Sequence, residues 1–173
     1  MRKYIFAMIG IWSISLLMGC NAEEQITKET QDIRKLVQEY SGNRTEGVSA
    51  SITSNELIVK DENEKETSYD FSEEEFFVSI APYIKDTHPC EIHSLTGCQG
   101  ELANKNFDVR IQDEEGEVIM DETVTSLENG FIDVWLPRDQ TFQVEVQYGE
   151  KTSESTISTF KGDNTCITTM QVK

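Results

Sequence analysis

The sequence predicts a mainly β protein of the α+β class. A small N-terminal helix-plus-hairpin module should occupy residues 26–71, and an antiparallel β-sandwich residues 72–173. Three observations carry this. From Phe107 onward, short runs of alternating apolar and polar residues recur at regular spacing, each closed by a turn signal. Upstream of them, the residues after position 25 carry a single apolar stripe at helical spacing. Between the two lie strand-like runs that meet across Ser54-Asn55.

At the N-terminus, Arg2 and Lys3 precede an apolar run, Tyr4 to Leu17, that is short for a membrane span and ends in Leu17-Met18-Gly19-Cys20. This pattern predicts a signal peptide over residues 1–19. A cysteine at the cut makes it look like a bacterial lipoprotein signal, with Cys20 lipidated and residues 20–25 a tether. Two or more acyl chains, at ~0.8 kcal/mol per buried methylene, anchor stably where one is marginal. The protein is then expected outside the cytoplasm and held to the membrane by its lipid.

The elements follow in order. Ile26, Ile33, Leu36, Val37 and Tyr40 share one helical face, and Ser41-Gly42 stops the helix. Val48 to Thr53 and Glu56 to Lys60 form a hairpin, and Asp61 to Lys65 a charged loop. Ser72-Glu73-Glu74-Glu75 has capping-box spacing, but Phe76 to Ile80 is better strand material, so a strand ending at Pro82 is predicted. Strands should follow over Phe107 to Ile111, Glu117 to Val124, Phe131 to Leu136 and Phe142 to Tyr148, then around Ile157 and from Cys166 to Val172.

The formal net charge is −17, and loss of Arg2 and Lys3 makes it two units more negative. Such acidity argues against nucleic acid and against direct docking on an anionic lipid surface. A chain of this length buries roughly 70% of the surface it exposes when unfolded, so it does not need disulfides merely to fold.

Chemistry concentrates in "HPCEIHSLTGC", His88 to Cys98, which holds both histidines of the chain and two of its four cysteines. With Cys20 lipidated, Cys90, Cys98 and Cys166 remain, an odd number for an exported protein. The spacing is neither a zinc-ribbon pair nor a thioredoxin-type motif. Thr96-Gly97 permits a turn that returns Cys98 towards Cys90. Three sulfurs, or two sulfurs and an imidazole, suit Cu(I), whereas zinc wants a fourth ligand from His88 or His93. A structural alternative is a Cys90–Cys98 disulfide stapling a loop of a non-catalytic binding lipoprotein, with Cys166 a buried apolar residue. The third thiol favours the metal, since a strand carrying Cys166 can lie beside the loop. Met170 falls on the same predicted strand face and reads as core packing. A Cys–His hydrolase lacks any visible oxyanion motif.

Three segments, "APYIKDTHPCEIHSLTGCQGEL", "NGFIDVWLPRD" and "GDNTCITTMQV", together resemble the CueP family of periplasmic copper-binding proteins. That resemblance implies Cu(I) held by Cys90, Cys98 and Cys166, with His88 and His93 in the matching segment. It further implies a role in copper homeostasis or resistance, a homodimer, and a small N-terminal domain beside a larger β-rich one that carries the metal. It implies delivery to a copper-requiring extracytoplasmic enzyme such as superoxide dismutase. It also implies thiol reduction of Cu(II), two thiolates forming a disulfide as two Cu(II) become two Cu(I). At Glu91-Ile92 the chain departs from the aromatic residues of better-known members.

Overall fold

A computed structural model describes residues 32–41, 46–71 and 73–173. The expected signal peptide, Cys20, the tether, Ile26, Gly42 and Ser72 lie outside the described residues. Within them the chain is mostly β-strand, as the alternating pattern requires, with a helix α1 at residues 32–41. The strands are β1 (Ser49–Ile52), β2 (Glu56–Lys60), β3 (Glu66–Asp70), β4 (Glu75–Ile80), β5 (His93–Ser94), β6 (Asn106–Asp113), β7 (Val118–Thr125), β8 (Ile132–Pro137), β9 (Thr141–Tyr148), β10 (Lys151–Ser158) and β11 (Cys166–Ile167). They form three sheets, in the orders β3-β2-β1-β5, β11-β4-β8 and β10-β9-β6-β7.

The behaviour of β4 explains how the sheets stack. Phe76, Val78 and Ile80 pack into one core with Phe107, Val109 and Ile111 of β6 and Phe142, Val144 and Val146 of β9. Phe77, on the opposite face, packs with Ile52, Leu57, Val59 and Leu95 and with Ile33 and Val37 of α1. Side chains alternate across a strand. The β11-β4-β8 sheet is therefore a middle layer, covered by the four-stranded β6–β10 sheet on one side and by the β1–β3 sheet with α1 on the other. A strand buried on both faces reads as a continuous apolar run, which is why Phe76 to Ile80 shows no polar alternation. Each of these phenylalanines contributes about 1.5–3 kcal/mol by burial. α1 lies against the middle layer with the Arg34 guanidinium 5.1 Å from the Trp135 ring centroid, and Arg34 also pairs with Glu75.

The structure departs from the sequence expectations in several places. β3 was not foreseen, because all five of its residues are exposed and no apolar alternation marks them. The predicted strand from Cys166 to Val172 is shortened to Cys166–Ile167, with a separate bridge between Tyr83 and Gln171. Between those points the Thr168 carbonyl accepts from the Thr87 hydroxyl. Finally, β11 pairs with β4 in parallel, whereas the other strand pairings are antiparallel.

Candidate metal centre

The loop that carries the cluster is pinned at several points along its length. At its base, one oxygen of Glu101 accepts the backbone N–H groups of Ile84 (2.6 Å), Lys85 (2.9 Å) and Asp86 (3.3 Å). Those bonds, with Lys85 first, hold the Glu101 carboxyl below the usual glutamate range. Close to Glu101, Gly100 N–H donates to the Asn129 carbonyl at 2.6 Å, and the Gly100 and Gly130 backbones lie against each other. A Cβ on Gly130 would sit 2.6 Å from the Gly100 carbonyl oxygen, and the φ of Gly130 is +82°, so both contact and conformation call for glycine.

In the middle of the loop, β5 adds to the N-terminal sheet: His93 pairs with Ile52 and Ser94 with Ser51 of β1. The predicted turn follows. Cys98 N–H donates to the Ser94 carbonyl at 3.0 Å, bringing Cys98 Sγ to 3.6 Å from Cys90 Sγ. That separation is far beyond the ~2.05 Å of a disulfide, and all three cysteines of the cluster are free thiols.

Cys166 arrives from the other side. The Glu91 carbonyl accepts the N–H groups of Thr165 (3.0 Å) and Cys166 (3.2 Å). The buried Thr165 hydroxyl accepts the His93 N–H at 3.0 Å and donates to the Ile52 carbonyl at 2.6 Å. Thr165 thereby fixes β1, β5 and β11 relative to one another. Nothing in the sequence marks this threonine or Glu101, since neither has a periodic or motif signal.

The five predicted donors come together in two overlapping groups. In each group the donor atoms all lie within 4.8 Å of one another: His88, Cys90 and Cys98 in one, His93, Cys98 and Cys166 in the other. Ala81, Phe131 and Cys166 form an apolar floor against which Cys90 and Cys98 pack. The Phe131 ring lies 4.5 Å from that of His93, and Phe77 lies 6.2 Å away on the same imidazole. His93 is fully buried, yet neither of its ring nitrogens has a hydrogen-bond partner. Buried polar groups are almost always satisfied, so an imidazole set beside two sulfurs with both nitrogens unpaired fits a metal ligand. Met170 belongs to the sandwich core with Phe76, Val78 and Val172, which gives it a packing role.

The thiols differ in their readiness to ionise. Cys98 is pulled well below the usual thiol range, chiefly by hydrogen bonding from Cys166, against the opposing effect of burial. Cys166 is pushed up, because its proton serves Cys98 and because it is buried. Cys90 is also pushed up, chiefly by burial. A readily ionised Cys98 among further thiols and imidazoles is a soft donor set suited to Cu(I) and poor in the oxygen ligands that hard cations need.

A protein-family model described as "Periplasmic copper-binding protein CueP" matches residues 31–171. A solved structure, the crystal structure of S.CueP, superimposes with a TM-score of 0.77 at 34% sequence identity, covering 90% of this chain and 99% of that one. No curated protein matches the sequence significantly.

Proposed function

The chain belongs to the CueP family of periplasmic copper-binding proteins, and from that premise we propose that it holds one Cu(I) ion among Cys90, Cys98, Cys166 and His93, with His88 at the margin. The observation that carries this reading is His93: a fully buried imidazole with no hydrogen-bond partner, next to the sulfurs of Cys98 and Cys166. Cu(I) accepts low coordination and soft donors, and the apolar floor of Ala81 and Phe131 keeps water from the inner sulfurs.

The protein sequesters copper or relays it. The Leu17 to Cys20 pattern supports a lipid tether at Cys20 and, with it, a role at a membrane surface outside the cytoplasm. The family resemblance supports a homodimer and a copper-requiring extracytoplasmic recipient such as superoxide dismutase. The 3.6 Å between Cys90 and Cys98 sulfurs supports a stoichiometric reduction in which these two sulfurs, their thiol protons lost to water, become a disulfide as two Cu(II) become two Cu(I).

Copper K-edge X-ray absorption of the Cu(I)-loaded protein tests the ligand set. The reading predicts a sulfur shell plus a nitrogen contribution that is lost in His93→Leu. A nitrogen and oxygen shell without sulfur would sink it.

A further inference from the structure

The two donor groups share one atom. Cys98 Sγ belongs both to the group with His88 and Cys90 and to the group with His93 and Cys166. Their exposure differs sharply. His93 and Cys166 are 0% and 1% exposed, whereas His88, Cys90 and Cys98 are half-buried and border the open tip of the loop at Glu91 and Ile92. An ion held by the inner group lies beside two fully buried residues and the apolar side chains of Phe77, Phe131 and Ala81, which restricts the approach of an incoming ligand. Yet a copper protein must load and unload, and an incoming thiolate has to meet the metal before the old ligands let go.

We infer that Cu(I) has two stations in this protein: an inner one at His93, Cys98 and Cys166 where it is held, and an outer one at His88, Cys90 and Cys98 through which it enters and leaves. This rests on the copper-binding reading above and adds a route to it. Cys98 stays bonded throughout and acts as the pivot. As the ion moves outward, its bonds to His93 and Cys166 break while those to His88 and Cys90 form. The proton leaving the Cys90 thiol is matched by one taken up on Cys166, and copper remains Cu(I). The shift is short, since the Cys90 and Cys98 sulfurs are already 3.6 Å apart. At the outer station the ligand that completes the exchange is a soft donor, such as an exposed thiolate of a recipient protein.

The test uses the full chain in detergent, with Cys20→Ala in every sample so that the cluster supplies the only thiols. Cu(I) affinity is measured by anaerobic competition with a chromogenic chelator, and release by stopped flow into excess of the same chelator. The parent's release rate should level off as chelator rises, because the inner-to-outer step limits it. His88→Ala should slow release by about 10-fold, on the scale of altering one group around a metal, whereas Cys166→Ser should speed it. If His88→Ala instead releases copper faster, with affinity falling in step, His88 is an ordinary ligand of a single site and the two-station route is overturned. The route is equally overturned if neither quantity changes. A parent that yields all its copper to the chelator at equilibrium overturns the copper reading itself, and the route with it.

Discussion

The two histidines of the cluster sit five positions apart in the chain but have opposite environments. His88 is half-buried on the loop, while His93 is fully buried in β5. The sequence shows both as candidates because they crowd with Cys90 and Cys98 in eleven residues. It does not show which is interior, because that depends on β5 pairing with β1 and on the Thr165 hydroxyl that holds the His93 amide. The thiols allow a prediction at this scale. The Cys166 thiol is raised above its ordinary range and so keeps its proton at neutral pH, and a Cu(I) ion held there must displace it. Metal binding therefore releases protons, and affinity should climb as pH rises between about 6 and 8. Competition titrations across that range check the sign; a flat profile would mean that Cys166 does not ligate.

At the scale of elements, the loop owes its shape to contacts at its two ends. Glu101 accepts three successive amides at the loop's entry. Because its folded pKa is lowered, this clasp is complete above the ordinary glutamate pKa and is lost only as pH falls through the lower folded value. Glu101→Gln should speed hydrogen exchange at Ile84 to Asp86 at neutral pH and weaken Cu(I) binding by about 10-fold, as outer-shell changes at metal sites do. Unchanged exchange at those amides would show that the clasp does not hold the loop. At the exit, Gly130→Ala forces a left-handed backbone on alanine and sets its Cβ against the Gly100 carbonyl. A cost of about 1–3 kcal/mol is expected, read as a lower denaturant midpoint. The hairpin of β1 and β2 and the strands β6, β8 and β9 were legible, because one face of each is apolar and alternates, whereas β10 showed only around Ile157. β3 was not, since it is exposed throughout and exists only through its register with β2. The parallel pairing of β11 was equally invisible, because two residues carry no periodicity.

Across the whole molecule, the cluster lies where the middle sheet meets the N-terminal one. β5 completes the sheet of β1 to β3, and β11 borders β4 in the middle layer. A copper ion bound to His93 and Cys166 would tie these two sheets together. Loading should raise the global unfolding free energy by about 2.7 kcal/mol at a free metal concentration one hundred times Kd, and Cys98→Ser should abolish that gain. The mainly β class and the small N-terminal helix were readable from the sequence. The three-layer stacking was not, because the twofold burial of Phe76 to Ile80 looks the same in sequence as any short apolar run. The central claim is that these thiols and His93 make one soft-metal site. Its most direct test is an anaerobic Cu(I) titration against a competing chelator with the parent, Cys98→Ser and Cys166→Ser, again with Cys20→Ala throughout. The account predicts one tightly held ion in the parent and a loss of affinity greater than about 100-fold in both variants, beyond what outer-shell changes cause. Copper left with the chelator, or Cys166→Ser binding as tightly as the parent, would contradict it.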